Sequence, residues 1–175
     1  MKYLYTLLSC FFLTACGKID GQKYQDIQPE FKLEEYFDGH IKAWGIVQDL
    51  SGNVTRRFEV DIIASWEGHH GTLDETFTFY DKQEKEKRIW KIKKIDEKNY
   101  TGTAGDIIGV ASGKAFGNAI QWTYEMDLPV DDTTYRLTFD DWIWAMRDDV
   151  IINRSYLKKY GITVAEITIF MQKQG

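Results

Sequence analysis

Residues able to do chemistry are few in this chain, and their spacing restricts what they can do. His40, His69 and His70 are its only histidines, so a serine–histidine–aspartate arrangement has few ways to form. In WEGHHG, Glu67, His69 and His70 offer metal-ligand atoms. Adjacent histidines on one turn point apart, however, and a third ligand must come from elsewhere, so an exposed turn without metal is expected. GVASGKA, Gly109 to Ala115, matches a phosphate-cradling loop only in outline. Its glycine spacing is one residue short, Lys114 is followed by Ala, and no helical pattern comes after it. Ser112 lacks the G-x-S-x-G spacing of a nucleophile elbow.

The densest polar and aromatic cluster is FDDWIWAMRDDVIINRS, Phe139 to Ser155, which reads as a hairpin turning at Asp148-Asp149. Asp140 and Asp141 face opposite sides of a strand and cannot share a site. Alternation groups Asp141 with Leu137 and Phe139, and Arg154 with Val150 and Ile152. That predicts a buried structural ion pair, Asp141 with Arg154, whose members are costly to separate. Glu75 and Asp141 are the carboxylates best suited to act as acid or base. No catalytic motif is present, and neither an enzymatic activity nor a cofactor is expected.

One thiol stands apart. Cys10 and Cys16 are the only cysteines, both within the greasy start of the chain. Lys2, an apolar run from Tyr3 to Phe12 and small Thr14 and Ala15 form a targeting pattern, too short for the ~20 apolar residues of a spanning helix. Leu13-Thr14-Ala15-Cys16 resembles the lipobox of bacterial lipoproteins, in which the cysteine sulfur takes a diacylglyceryl group before cleavage on its amino side. That resemblance implies a signal peptide over 1–15, a lipidated N-terminus and tether over 16–30, and a domain over 31–173. With Cys10 removed, no internal disulfide can form. Two or three acyl chains, at about 0.8 kcal/mol per buried methylene, hold far more firmly than one. Gly17 after the cysteine, rather than Asp, implies by resemblance to Gram-negative lipoproteins the periplasmic face of the outer membrane.

The formal charge is −5, and an acidic surface disfavours nucleic acid as a partner. The basic patch DKQEKEKR, Asp81 to Arg88, alternates in sign and reads as a solvated hairpin loop.

Beyond FKLEEYF, which reads as a turn of helix, nearly everything alternates at period two. Phe58, Val60, Ile62, Ala64 and Trp66 share one face, as do Ile120, Trp122, Tyr124, Met126 and Leu128. Similar runs cover 41–49, 72–80, 88–95, 100–104, 107–116, 134–145, 150–156 and 163–172, separated by turn signals such as Ser51-Gly52-Asn53, Gly117-Asn118 and Asp131-Asp132. About ten short antiparallel strands predict an all-β domain, a single closed barrel without exposed edges. Aromatic residues make up 15% of the chain, enough to line an interior. Trp66, Phe77, Trp90, Trp122 and Tyr124 are candidate cavity residues. Gly109, Ala111 and Gly113 put only small side chains on one face, leaving room for a ligand or for close backbone packing.

The series EYFDG, RRFEV, LDETF, RIW, AGDIIG, GNAIQWTY, LPV, FDDW, NRSYLKKYG and EIT resembles the bacterial lipoprotein family called domain of unknown function thirty-eight thirty-three. The resemblance covers nearly all of the chain after the cysteine, with Tyr160 in place of Phe and Ala165 in place of Gly. It implies a lipid-anchored envelope protein with a lipocalin-like barrel and brings no catalytic residues. The expected role is binding of a hydrophobic ligand, such as a fatty acyl chain or lipid. The alternative is a scaffold with a filled barrel that binds an envelope partner.

Overall fold

The computed structural model describes residues 18–82, 84–130 and 132–175. The targeting segment over 1–15 and Cys16 lie outside them. Among the described residues are ten strands: β1 (Gly39–Gln48), β2 (Val54–Glu67), β3 (His70–Phe79), β4 (Lys85–Lys94), β5 (Asn99–Thr103), β6 (Ile107–Phe116), β7 (Ala119–Val130), β8 (Thr133–Ala145), β9 (Val150–Lys159) and β10 (Ile162–Lys173). Each pairs antiparallel with the next, and β10 returns to β1 to close the barrel. Closure runs from Ile41 opposite Lys173 to Gln48 opposite Glu166. This is the predicted ten-strand barrel.

Two hairpins turn through residues whose backbone is left-handed: Asp148 and Asp149 at φ 59° and 56°, and Tyr160 and Gly161 at 51° and 80°. Such paired positive φ values match the twist of the strands they join, and Asp and Gly tolerate them best.

Helix α1 (Leu33–Tyr36) plugs one end. Phe31, Leu33 and Phe37 are buried there. Glu34 accepts hydrogen bonds from Lys94 Nζ at 2.7 Å and from the Tyr100 hydroxyl at 2.8 Å. Lys173 Nζ donates to the Glu35 carbonyl at 2.9 Å. The plug is therefore pinned by polar contacts to β4, β5 and β10.

The segment expected to be a tether docks on the barrel through Gly21 and Tyr24, while most of its other residues stay exposed. A 3₁₀ turn, Gly21–Tyr24, lies on the outer wall of the barrel. Tyr24 sits 5.9 Å from the Trp142 ring and 6.1 Å from Trp144, and Phe31 N–H donates to the Gly117 carbonyl at 2.8 Å. The cause is the outer face of β6 and β8, where Phe116, Trp142 and Trp144 would otherwise meet water. Trp142 is almost fully buried beneath the segment.

The small-residue strand is corrected too. Gly109 sits exposed in a bulge at φ 70°, and Ala111 is buried but is not among the residues lining the central cavity. A Cβ on Gly113 would stand 2.3 Å from the Trp122 indole, and one on Gly102 2.6 Å from it. The space those small residues leave is filled by Trp122, not kept for a ligand.

Gly113→Val should therefore lower stability by about 1–3 kcal/mol through overpacking. Gly105→Ala, with nothing within 4 Å of the added methyl, should change it by less than about 0.5 kcal/mol. Urea unfolding followed by tryptophan fluorescence measures both, and a neutral Gly113→Val would mean the indole moves freely.

Candidate functional site

Inward residues of the strands enclose a cavity of ≈ 420 Å³. Leu33 and Phe37 close it at the plug, while Arg56, Glu86, Pro129 and Val130 line its other end. Glu86, Pro129 and Val130 are exposed, so the cavity opens there.

Its walls are aromatic on one side. Phe58, Phe77 and Phe79 form a cluster with ring centroids 5.8–6.2 Å apart. Trp90 meets Trp122 at 5.8 Å and Tyr124 at 5.4 Å, both edge-on, and Tyr124 stacks on Phe139 at 4.8 Å. These geometries suit the ring quadrupoles. Strands β9 and β10 complete the wall with Leu157, Ile167, Ile169 and Met171.

Of the predicted cavity residues, Phe77, Trp90, Trp122 and Tyr124 line it. Trp66 does not. Its indole packs over Gly71 at the plugged end, and its Nε1 donates to the Phe37 carbonyl at 2.8 Å. The Glu67–His70 turn lies at the same end, with His69 Nδ1 3.4 Å from the Lys94 carbonyl. Among the described residues no group of three or more His, Cys, Asp and Glu converges as metal ligands do.

The predicted Asp141–Arg154 pair is not formed. Asp141 stands opposite Ser155, and Arg154 opposite Trp142. Asp141 therefore points inward, 8% exposed, and Arg154 points outward to Glu166 on β10. The inward face of β9 is Ile151, Asn153, Ser155 and Leu157. Taking the strand's apolar residues as the buried set selected the wrong face, because this stretch of the interior is polar.

That polar stretch is built from four strands. Glu75 on β3 lies beside Arg88 on β4. The Arg88 guanidinium bonds Asp106, from the β5–β6 turn, at 2.7 and 2.8 Å, and lies 5.4 Å from the centre of the Phe77 ring. Across the cavity, Ser155 Oγ donates to Asn153 Oδ1 at 3.2 Å. Glu75 Oε2 and Asp141 Oδ1 are buried with no hydrogen-bond partner.

Burial pushes the Glu75 carboxyl up to about 7. Arg88 opposes the rise, while Asp106, Asp141 and Asp74 add to it. Burial likewise pushes Asp141 up to about 7, opposed by Ser155 and Arg88 and assisted by Asp140. The Tyr124 hydroxyl is driven well above its ordinary value, by burial first and then by Asp141. Two buried carboxylic acids pushed toward neutrality in this cavity can give or take a proton or accept hydrogen bonds.

Arg88, Asp106, Asn153 and Ser155 were not anticipated. The signal that could have found Arg88 is its place in the register of Trp90 and Ile92, as Glu75 stands in that of Leu73 and Phe77.

A closed antiparallel meander, plugged at one end and hollow within, defines a lipocalin-like barrel. The chain belongs to the family described as Protein of unknown function (DUF3833), whose model matches residues 10–173. No curated protein matches it. Among solved structures it is similar to the S-type phycobiliprotein lyase CPES from Guillardia theta, at 10% identity and a TM-score of 0.55, covering 81% of this chain and 90% of that one. The likeness is one of fold. The expectation of a barrel with no enzymatic activity is corrected to this extent: a barrel of this fold belongs to a lyase, so the fold gives no ground for excluding an activity.

The two raised carboxyls bind protons more tightly folded than unfolded. Their stabilising effect is complete below about pH 4, the unfolded value, and is lost as pH rises through about 7. Between pH 5 and pH 8, Glu75→Gln and Asp141→Asn should thus gain on the parent by on the order of 2–3 kcal/mol. Arg154→Ala, on the outer wall, should cost less than about 1 kcal/mol at either pH. Unfolding curves at the two pH values check this. A gap between variant and parent that does not widen with pH would mean the carboxyls are solvated.

Proposed function

We propose that this chain is a lipid-anchored envelope protein whose barrel binds a largely apolar small molecule, such as a fatty acyl chain or lipid. The observation that carries the reading is the ≈ 420 Å³ cavity, walled by aromatic and aliphatic side chains and open opposite the plug. Its volume falls in the range of roughly 300–1,000 Å³ typical of small-molecule sites. A scaffold role needs a filled interior, which this cavity counts against. The solved structure of similar fold is named a phycobiliprotein lyase, and at 10% identity its name supplies no ligand for this cavity.

The anchor is Cys16, acylated and held at the periplasmic face of the outer membrane. Its support is the lipobox-like sequence before it. Lys18 lies against the outer wall with Lys114 and Gln121, and two extended residues span only about 7 Å. The acyl chains would therefore hold the β6–β7 wall close to the bilayer, with the mouth free to exchange ligand.

Native mass spectrometry of the full chain purified from the envelope should show lipid-sized adducts that organic extraction removes and envelope lipid restores. Ile169→Trp, which fills the cavity from β10, should abolish them. Adducts undiminished by that change would place the bound molecules elsewhere. Cys16→Ser should abolish incorporation of labelled palmitate, and labelled variant protein would remove the anchor from the proposal.

A further inference from the structure

Resting on the reading of the barrel as a binder of an apolar molecule, the polar stretch indicates which polar group that molecule carries. The charged and titratable groups facing the cavity are Arg56 and Glu86 at the mouth, and Glu75, Arg88, Tyr124 and Asp141 deeper in. Strand β9 adds Asn153 and Ser155, and β10 is apolar along the cavity.

The one deep cation is already held. Asp106 bonds Arg88 through two nitrogens, and Glu75 lies beside it on the neighbouring strand. An anionic head group arriving there would meet a guanidinium already neutralised by Asp106 and would add a negative charge beside Glu75 and Asp141. Hydrogen-bond acceptors, by contrast, are in surplus. Asp141 is 8% exposed, its Oδ1 has no partner, and Glu75 Oε2 has none either. Ser155 donates to Asn153 at 3.2 Å, and with the Tyr124 hydroxyl it lies beside Asp141, yet Asp141 Oδ1 is left without a partner. Buried acceptors of this kind are normally satisfied, and N–H groups of a ligand would satisfy them while its chain fills the aromatic and aliphatic walls.

We infer that Asp141 and Glu75 form a subsite for an amine or similar N–H donor on the apolar ligand, so that the barrel takes a long-chain amine or aminolipid amine-first and rejects the matching carboxylic acid. A charge-assisted hydrogen bond made in an enclosed site is stronger than a neutral one, and its loss is felt most where no water replaces it.

The test uses decylamine, decanol and decanoic acid, each with a diazirine in mid-chain, and the full chain in phosphatidylcholine nanodiscs at pH 7.5. After irradiation, label on peptides carrying Trp90, Tyr124 and Phe139 reports entry into the cavity rather than partition into the bilayer. The amine should label these peptides about tenfold more than the acid, the ratio expected for one charge-assisted bond made rather than lost. Asp141→Asn and, independently, Glu75→Gln should bring the ratio toward one, with circular dichroism showing each variant folded. The ratio in the unaltered protein reads the proposal even where a variant fails to fold. Equal labelling by all three probes, or strongest labelling by the acid, would overturn the amine subsite while leaving an apolar-ligand barrel standing. Interior labelling by none of them would overturn both.

Discussion

The pairing of β10 with β1, eight residues on each strand from Ile41 opposite Lys173 to Gln48 opposite Glu166, is the constraint on which the rest of the structure depends. Once the last strand returns to the first, no sheet edge remains, and every strand must divide its residues between an inside and an outside. Eight strands give an interior that side chains just fill or that holds one small ligand. Ten strands enclose more, and here one end is stopped by α1 while the middle stays open. The cavity follows from strand number as much as from any particular side chain. Where a large indole does enter, beside Gly102 and Gly113, the wall gives up its own side chains to admit it.

Closure also explains why the interior can hold charge. A buried carboxylate is intolerable alone, yet Glu75 and Asp141 meet that cost differently from an ordinary ion pair. Arg88 is shared between Asp106 and the cavity, and burial favours the protonated acids. The outer wall shows the contrasting solution, with Arg154 on Glu166 and Arg136 on Asp127 as cross-strand pairs near solvent. Such pairs contribute little individually. They do keep the outside polar where no other part of the chain covers it.

The ten strands and the closed barrel were legible because alternation and turn residues are local signals, and here they agree with one another. The site was legible only in part. Phe77, Trp90, Trp122 and Tyr124 announced themselves by being aromatic on an inward register. Asp141 was correctly turned inward, but its partner was misassigned, since β9 has apolar residues on both faces and Ile152 looked as buried as Ile151. Gly113 could signal either free space or close packing, and its own strand does not contain the indole that decides between them. The stretch 18–30 reads as a tether because it is polar, whereas the reason it packs lies on β6 and β8, about a hundred residues later.

The unequal treatment of the two barrel ends bears on how selectivity can arise in so apolar a space. The plug is overdetermined: Glu34 takes two donors, Lys173 holds the helix carbonyl, and Trp66 holds the carbonyl of Phe37. A molecule entering from the mouth therefore meets a fixed far end, and the polar stretch lies along its path. Apolar contact alone discriminates weakly between chains that differ by a methylene, by about 1–3 kcal/mol. A few buried polar groups discriminate far better, because a wrong head group leaves them unsatisfied and desolvated. Carboxyls poised near neutrality add a further dependence, since their hydrogen-bonding character changes with protonation while the apolar walls do not. On this view Glu75 and Asp141 are kept at a cost to stability so that the cavity distinguishes molecules its aromatic walls would accept alike.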